Sequence, residues 1–379
     1  MIETKKEEEF GVLVTVVSKS QSDEKTKEYL DELEFLAQTI DIHTLKSFSQ
    51  RLDHPEPKTF IGKGKLNEIK EFVKAKEVKN VIFDDDLTPS QMRNLEKELK
   101  ATIYDRSLLI LEIFLKRAKT TQAKTQVELA RYQYLLPRLT RMWTHLERQR
   151  GGTSTRGGAG EKEIETDRRN IRNQVNVLRK KLDKIEVQAA TRRKSRDGIV
   201  RVALVGYTNA GKSSLMRLIS KEKVYAKDEL FATVDSTVRK VVINNVPFLL
   251  SDTVGFIRKL PHDLIESFKS TLMEVKEADI LLHVIDVSSP SYEDHIKVVE
   301  NTLNEIDASN IPVIRVYNKS DMLDEETKLE NHIESINEDS IYISAKTKFH
   351  LHELRELLGK ETSKIHFKIY PNYLNTETY

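Results

Sequence analysis

The chain has 379 residues, of which 38% are hydrophobic and 32% are charged, with a formal net charge of +2. This composition is typical of a soluble protein with two or three domains, and the charged amino terminus, MIETKKEEEF, argues against a secretory signal peptide. The absence of cysteine excludes disulfides, thiolate catalysis and cysteine zinc sites, and the longest apolar runs, such as ILLHVIDV, are too short to span a bilayer, so a cytoplasmic location is expected.

Strand and helix patterns alternate through the first 115 residues. GVLVTVV and NVIFDD have the apolar character of strands, whereas TKEYLDELEFLAQTI and KLNEIKEFVKAK have the spacing of amphipathic helices. These patterns predict a small α/β domain. The stretch IGKGKLNEIK contains glycine, lysine and a following helix, but it lacks the four-residue spacer and the hydroxyl of a phosphate loop. A strand-to-helix turn with basic side chains is therefore favoured over a nucleotide site.

Residues 116 to 196 are strongly basic and have helical periodicity. They contain 22 Lys and Arg against 8 Asp and Glu, a balance of +14, whereas the rest of the chain has 40 against 52, a balance of −12. Apolar residues recur at helical spacing on both sides of a glycine-rich stretch, residues 151 to 160: Leu135, Leu139, Met142 and Leu146 before it, and Ile164, Ile171, Val175, Leu178, Leu182 and Ile185 after it. The pattern predicts an antiparallel helical arm with a soft tip, in which Pro137 kinks or interrupts the first helix. Such a basic block indicates a nucleic-acid contact, and a solvated helix face is the alternative.

A phosphate loop opens the next domain. In IVRVALVGYTNAGKSSLMRLIS an apolar strand runs into Gly206, and after four further residues Gly211, Lys212 and Ser213 open a helix. The backbone amides and the helix amino terminus favour bound phosphates. Lys212 is expected to reach the β- and γ-phosphates, and Ser213 Oγ can ligate Mg²⁺.

Three further motifs follow apolar strands. In FLLSDTVGF, Asp252 can hold Mg²⁺ and the Gly255 amide can meet the γ-phosphate. The other two motifs are Asn318, Lys319, Ser320 and Asp321 in VIRVYNKSD, and Ser344, Ala345 and Lys346 in IYISAK. All three lie at the carboxyl edge where parallel sheets bind ligands, so the four motifs together predict one nucleotide site.

The VIRVYNKSD motif selects the base. Asp321 offers two acceptor oxygens to the N1–H and exocyclic amine of guanine, and adenine lacks both donors at these positions. A polar group left without its partner can discriminate about 10⁴-fold. The predicted ligand is therefore GTP or GDP, with Lys319 along the base and the Ala345 amide directed to guanine O6.

The segment ELFATVDSTVRK must supply a hydroxyl that binds Mg²⁺ only while the γ-phosphate is present. Thr233 is favoured, and Thr237 is the alternative. Phe256 stands where Ras-type GTPases carry the glutamine that orients the attacking water, so a slow intrinsic rate is expected. His283 lies in the middle of an apolar strand and is interpreted as a core histidine rather than a base.

The predicted nucleotide set comprises the phosphate loop, the segment around Thr233 and the three later motifs. Its members are Gly206, Tyr207, Thr208, Asn209, Ala210, Gly211, Lys212, Ser213 and Ser214; Phe231, Ala232, Thr233, Val234 and Asp235; Asp252, Thr253, Val254 and Gly255; Asn318, Lys319, Ser320 and Asp321; and Ser344, Ala345 and Lys346. The predicted catalytic residues are Lys212, Ser213, Thr233 and Gly255, and the predicted metal ligands are Ser213, Thr233 and Asp252.

The sequence resembles the HflX family of the Obg–HflX group of GTPases. The resemblance covers nearly the whole chain and rests on GYTNAGKSSL, FATVDST, DTVGFIRKLPHDLIESFKSTL and HVIDVS, and upstream on FIGKGKLNEI, QVELARYQYLLPRLTRMWTHLERQRGG and ETDRR. It implies a Ras-like α/β GTPase domain at 197–361, preceded by a small α/β domain at 1–115 and the arm at 116–196, with a short tail at 362–379. It also implies binding to the large ribosomal subunit and its RNA, and splitting or rescue of stalled ribosomes. From the motifs themselves we expect Mg²⁺-dependent GTP hydrolysis, and we expect a monomer.

The tip of the arm is the expected RNA probe. Glycines permit close backbone approach to RNA, and Arg148, Arg150 and Arg156 supply planar donors suited to phosphate. An assembly factor for the large subunit is the first alternative function. A signalling switch with a protein partner and ATP-driven RNA remodelling through the first domain are weaker alternatives.

Overall fold

The structure is a computed structural model that describes residues 9–18, 21–138, 159–194, 198–220, 231, 237–260, 269–324 and 339–371. The chain divides into two compact units. Unit 1 is drawn from Met1–Lys116, Lys124–Leu182 and Lys259–Ser267, and unit 2 from Arg117–Ala123, Asp183–Arg258 and Phe268–Tyr379.

The amino-terminal part of unit 1 is a parallel α/β sheet. Its elements are β1 (Glu9–Val17), α1 (Asp23–Thr39), β2 (Ile42–Arg51), α2 (Lys63–Ala75), β3 (Asn80–Phe83), α3 (Pro89–Leu99), β4 (Thr102–Tyr104) and α4 (Arg106–Arg117). The strands pair in the order β2-β1-β3-β4, and all three pairings are parallel. Asp84 directly follows β3, and its Oδ1 accepts from Nη1 of Arg106, the fully buried first residue of α4, at 2.7 Å. Arg106 also pairs with Glu32. The alternating apolar patterns therefore give the predicted small α/β fold.

The basic arm contains two helices that pack through an apolar seam. These are α5 (Thr121–Leu135), which is followed by a 3₁₀ turn at Leu136–Arg138, and α6 (Ala159–Lys194). Helix α5 ends just before Pro137 because proline lacks an amide hydrogen and disfavours a helical residue before it. The seam joins Leu129 of α5 to Ile171, Val175, Leu178 and Leu182 of α6, with Tyr132 and Leu136 packed against it.

Part of the predicted arm lies outside the described residues. This applies to Leu139, Met142, Leu146 and most of the tip. Helix α6 begins at Ala159, so the last two residues of the predicted tip, 151–160, are already helical. The tip as predicted is therefore too long by these two residues.

Unit 2 contains a six-stranded sheet. Its main elements are β5 (Val200–Val205), α7 (Lys212–Ser220), β6 (Thr237–Ile243), β7 (Val246–Asp252), α8 (Lys269–Lys276), β8 (Ile280–Asp286), α9 (Tyr292–Glu305), β9 (Val313–Asn318), a 3₁₀ turn (Ser320–Met322), β10 (Ser340–Tyr342) and α10 (Leu351–Ile369). The strand order is β10-β9-β8-β5-β7-β6, and only the β6–β7 pairing is antiparallel. The chain turns to opposite sides of β5, and this reversal opens a crevice at the carboxyl ends of the strands where α/β sheets bind ligands.

The last helix, α10, extends into the segment that was predicted to be a short tail. A tail was expected from residue 362, but α10 continues to Ile369, with Thr362 and His366 buried. Gly359 lies where α10 packs on β6, and a Cβ added there would be 2.7 Å from Ile243 Cγ2. Glycine at this position therefore serves close packing and does not end the helix. In the described part of the chain, every helix is too short or too polar to cross a membrane.

Candidate nucleotide site

The loop between β5 and α7 needs its two glycines. Gly206 has a φ of +149°, and an added Cβ would lie 2.2 Å from the carbonyl oxygen of Val284 on β8. Gly211 has a φ of +96°, and an added Cβ would lie 2.3 Å from Asn318 Nδ2. Both backbone conformations are unfavourable for other residues, and neither position has room for a side chain. The loop therefore lies tightly against β8 and the end of β9.

Lys212 is the first residue of α7 and is buried. Its Nζ donates to the carbonyl oxygens of Gly206 at 2.9 Å and Tyr207 at 2.7 Å. Burial lowers the pKa of Lys212 to about 8, and the nearby Asp252 carboxylate opposes this shift. The ammonium group is thus held inside the loop, where anionic phosphate oxygens would be stronger acceptors than the carbonyls.

Two of the predicted metal ligands are adjacent. Ser213 Oγ, at the start of α7, donates to Asp252 Oδ2, at the end of β7, at 2.6 Å. A hydroxyl and a carboxylate are hard oxygen donors of the kind that Mg²⁺ prefers, so this pair fits the ion. Thr233 lies outside the described residues, whereas Thr237 opens β6 and is paired with Asp252 across the β6–β7 ladder. The choice between Thr233 and Thr237 stays a prediction.

Asn318 connects the predicted base motifs to the phosphate loop. Its Nδ2 donates to the Ala210 carbonyl oxygen at 2.8 Å, and its Oδ1 accepts from the Ala345 amide at 3.0 Å. Ser344 Oγ donates to Asp321 Oδ1 at 2.7 Å, which orients that carboxylate. The ends of β9 and β10 and the phosphate loop are therefore joined by side-chain hydrogen bonds.

Lys319, which follows Asn318, is held in a strained backbone conformation. It has a φ of +65°, and its Nζ is 2.6 Å from Asp286 Oδ2 at the end of β8. An ion pair at this point fixes the direction of the lysine side chain.

A cavity of about 630 Å³ brings most of the predicted set together. The members of the predicted nucleotide set that line this cavity are Thr208, Asn209, Gly211, Lys212, Ser213, Ser214, Phe231, Thr253, Gly255, Asn318, Lys319, Asp321, Ala345 and Lys346. The remaining described members of the set, which do not line the cavity, are Gly206, Tyr207, Ala210, Asp252, Val254, Ser320 and Ser344. Ala232, Thr233, Val234 and Asp235 lie outside the described residues, as do Arg148, Arg150 and Arg156.

Two lining residues were missed in the sequence, Arg217 and Met322. Arg217 follows Ser213 by four residues on α7, so the helical repeat places both on one face of the helix. This four-residue spacing could have indicated from the sequence that Arg217 lies near the nucleotide site. Met322 directly follows Asp321 and gave no signal beyond its position.

Phe256 is an anchor for the segment after β7. Its side chain is 1% exposed, its carbonyl oxygen accepts from the Thr208 amide at 2.8 Å, and its amide donates to the Gly206 carbonyl oxygen at 3.1 Å. A buried aromatic ring has no polar atom with which to orient water, in agreement with the expectation from the sequence. The backbone of Phe256 instead fixes Gly255 beside the phosphate loop.

His283 is buried in the middle of β8, and burial lowers its pKa to about 3, with Arg315 and Lys212 acting in the same direction. Because the folded-state pKa lies below the unfolded value, the stability contributed by the neutral ring is complete above pH 6.5 and is lost as the pH falls towards 3. The free energy of unfolding should fall between pH 7 and pH 5 in the parent. We expect this fall to be about 2 kcal/mol smaller in the His283→Leu variant.

Urea unfolding at several pH values measures this difference. His352 is the matched control, because its side chain is 80% exposed. His352→Leu, unfolded in the same series, shows the effect of removing a histidine from the surface. A His283→Leu variant with the same acid slope as the parent would show that the ring is charged or exposed in the folded protein.

The phosphate loop, the Asp252–Gly255 motif and the two base motifs surround one cavity at the switch point of a Ras-like sheet, which defines the class as a P-loop GTPase. Family profiles agree with this class: residues 27–115 match a profile described as GTP-binding GTPase N-terminal, residues 117–196 match GTP-binding GTPase Middle Region, and residues 201–319 match 50S ribosome-binding GTPase. The chain belongs to the HflX family of GTPases, and it binds and hydrolyses GTP.

Family membership rests on similarity along nearly the whole chain. The chain is 48% identical to GTPase HflX of Flavobacterium psychrophilum, with 96% of this chain and 92% of that protein covered. It is 43% identical to GTPase HflX of Escherichia coli K12, with 90% and 80% covered. Among solved structures, SsGBP in complex with GDP has a TM-score of 0.53 at 26% identity and covers 94% of this chain and 99% of that one.

Proposed function

We propose that this GTPase binds the large ribosomal subunit through its basic arm and splits or rescues stalled ribosomes in the cytoplasm. The observation that carries the proposal is the charge of residues 116 to 196, +14 in a chain whose remainder is −12. Ribosomal RNA is a dense polyanion, and a concentrated basic segment binds it with release of counterions. The 50S ribosome-binding GTPase profile matched by residues 201–319 supports the same partner.

The exposed surface of α6 supports an RNA partner. Ile171, Val175, Leu178 and Leu182 form the apolar seam against α5, and most of the other described side chains between Arg169 and Gln188 are exposed. The exposed basic residues of the described part of α6 are Arg169, Arg172, Arg179, Lys180, Lys181 and Lys184. Because the basic and apolar surfaces of α6 are separate, the basic side chains could bind RNA while the apolar seam with α5 stays packed.

The nucleotide site supplies the switch. We assign Lys212 to the β- and γ-phosphates, the Gly255 amide to the γ-phosphate and Asp321 to guanine. Ser213, Asp252 and Thr233, with Thr237 as the alternative to Thr233, would hold Mg²⁺. The ion, when bound, neutralises charge that develops on the phosphates. GTP would order the segment that carries Thr233 and favour the ribosome-bound state, and hydrolysis would release the protein.

GTP hydrolysis measured with and without purified 50S and 70S particles tests the proposal. We expect stimulation by particles that contain the large subunit, and co-pelleting that weakens steeply with salt. Sucrose-gradient sedimentation then separates the two candidate roles. A splitting factor lowers the 70S fraction when its GTP form is added, whereas an assembly factor leaves that fraction unchanged. Absence of both stimulation and salt-sensitive pelleting would contradict a ribosomal partner.

The tip is expected to determine ribosome binding and not basal hydrolysis. Replacing residues 151–160 by a four-residue turn should lower large-subunit affinity and splitting, because the predicted RNA probe is removed. Basal GTP hydrolysis should be unchanged, because the four nucleotide motifs all follow Ile199 in the chain. Arg150→Ala and Arg156→Ala should each reduce the salt dependence of binding by about one unit of log–log slope per lost phosphate contact.

Lys180→Ala is the matched control, because this exposed lysine lies on α6 away from the tip. It should affect binding less than either tip arginine. If the variant with the shortened tip splits ribosomes at the parent rate, residues 151–160 serve only to connect the two helices and the RNA-probe hypothesis is wrong.

A further inference from the structure

The buried side chain of Tyr207, in the phosphate loop, joins two other parts of unit 2. The residue is 7% exposed, and its ring stacks on that of His295 in α9, with the ring centroids 3.8 Å apart and the planes 13° from parallel. Its hydroxyl oxygen accepts from the backbone amide of Arg258 at 3.0 Å. Tyr207 does not line the nucleotide cavity, so its side chain is placed to act on protein groups and not on the ligand.

Backbone hydrogen bonds hold the segment after β7 at a second point. The Phe256 amide donates to the Gly206 carbonyl oxygen at 3.1 Å, and the Phe256 carbonyl oxygen accepts from the Thr208 amide at 2.8 Å. These two bonds form a short parallel bridge between Tyr207 and Phe256. Phe256 is therefore fixed by the backbone of the phosphate loop, and the Tyr207 hydroxyl adds a further bond two residues along the segment.

Gly255 lies at the start of this doubly bound segment. A Cβ added there would be 2.9 Å from Thr208 Cγ2 and 3.1 Å from Lys212 Nζ, so the glycine lies close against the phosphate loop. Lys212 and the Gly255 amide are the two groups assigned above to the γ-phosphate. Because GDP has no γ-phosphate, the position of Gly255 should affect the binding of GTP and not that of GDP.

A bond that fixes a binding group before the ligand enters strengthens binding, because less freedom is then lost on association. The Tyr207 hydroxyl acts in this way on the segment that carries the Gly255 amide. Stacking on His295 restrains the ring in turn, so the hydroxyl meets the Arg258 amide in a defined position. Without the hydroxyl, this amide loses its acceptor and the segment gains freedom.

We propose that Tyr207 is a positioning residue that strengthens the preference of the site for GTP over GDP. Its hydroxyl holds the Arg258 amide, and the segment held in this way keeps the Gly255 amide directed to the γ-phosphate. The inference rests on the assignment of Gly255 made under the proposed function. It is independent of a ribosomal partner.

The test measures the affinities of full-length Tyr207→Phe for GDP and for a non-hydrolysable GTP analogue, without ribosomes. Phenylalanine keeps the ring that stacks on His295 and removes only the hydroxyl. The affinity for the analogue should fall about 3- to 10-fold, the range for loss of one hydrogen bond, while that for GDP stays within about 2-fold of the parent. A variant with the parent ratio of the two affinities would overturn the inference. An equal fall in both affinities gives that same ratio and indicates general damage to the phosphate loop.

Tyr342→Phe is the matched control. The Tyr342 ring also stacks on another ring, that of Tyr317, with centroids 4.6 Å apart. It lies on β10, an edge strand that β8 and β9 separate from β5 and the phosphate loop. Loss of its hydroxyl should leave both affinities unchanged. An equal change of nucleotide preference in Tyr342→Phe would contradict a specific role for Tyr207.

Gly255→Ala separates failure of the inference from failure of the assignment on which it rests. The added methyl group would press on Thr208 and displace the segment, so the affinity for the analogue should fall more than that for GDP. If Gly255→Ala shows this change and Tyr207→Phe does not, the assignment of Gly255 stands and only the role of Tyr207 is wrong. If Gly255→Ala keeps the parent preference, the assignment is wrong and the inference fails with it.

Discussion

Asp321→Asn is expected to exchange the GTP preference of the protein for a preference for XTP. Asp321 lines the nucleotide cavity, and Ser344 Oγ holds one of its carboxylate oxygens at 2.7 Å. A carboxylate pairs with the two donors of guanine, whereas an asparagine amide can donate to the carbonyl that xanthine carries at C2. The loss of GTP affinity should approach about 10⁴-fold, the range seen when a buried polar group is left without its partner. Titrations with GDP and XDP, followed by hydrolysis of GTP and XTP, measure the change.

Asp307→Asn is the matched control for this substitution. The Asp307 side chain is 85% exposed and pairs with Lys276 on the surface of unit 2. The change removes the same charge without touching the cavity, so nucleotide preference should be unaltered. If Asp321→Asn keeps its preference for GTP over XTP, the assignment of the base site is wrong.

Lys212→Met is expected to abolish most GTP hydrolysis and, at the same time, to stabilise the nucleotide-free protein. Loss of a preorganised cation at the phosphates costs about 10²- to 10³-fold in rate. In the empty site, however, burial lowers the pKa of Lys212 to about 8 from an ordinary 10.5, so a charged lysine is destabilising at pH 7 by about 3 kcal/mol. Methionine fills a similar volume without charge, and urea unfolding of the nucleotide-free variant should show the gain.

Lys240→Met provides the comparison, because Lys240 is exposed on β6. It should change neither hydrolysis nor stability by a measurable amount. Two results would contradict the interpretation of Lys212: retention of hydrolysis by Lys212→Met, which would remove its phosphate role, or a loss of stability, which would mean that its bonds to Gly206 and Tyr207 outweigh the cost of burial.

Local spacing explains why the nucleotide motifs could be predicted. The interval from Gly206 to Lys212 and the order of Asn318, Lys319 and Asp321 are short-range patterns, and each follows an apolar strand whose carboxyl end faces the crevice. The sheet then brings together residues more than 100 positions apart, as in the bond from Asn318 Nδ2 to the Ala210 carbonyl oxygen. The motifs predicted the site, but the bond between them required the structure.

Long-range packing explains what could not be predicted. Arg106 is fully buried because it pairs with Asp84 and with Glu32, which is 74 residues away, and no local pattern signals such a partner. A short tail was expected from residue 362, yet α10 continues to Ile369, and Gly359 allows this helix to approach Ile243.

The hydrogen bonds of Asn318 bear on the rate at which the enzyme can release its product and begin a new turnover. They join the phosphate loop to the Ala345 amide without a nucleotide. This wall of the cavity, formed by Asn318 and Ala345, therefore needs no ordering when a ligand enters. Guanine and the first two phosphates are common to GDP and GTP, so the wall should hold the product as firmly as the substrate. We therefore expect GDP release to be a slow step, in which case the ratio of GDP to GTP in the cell would determine which nucleotide binds next.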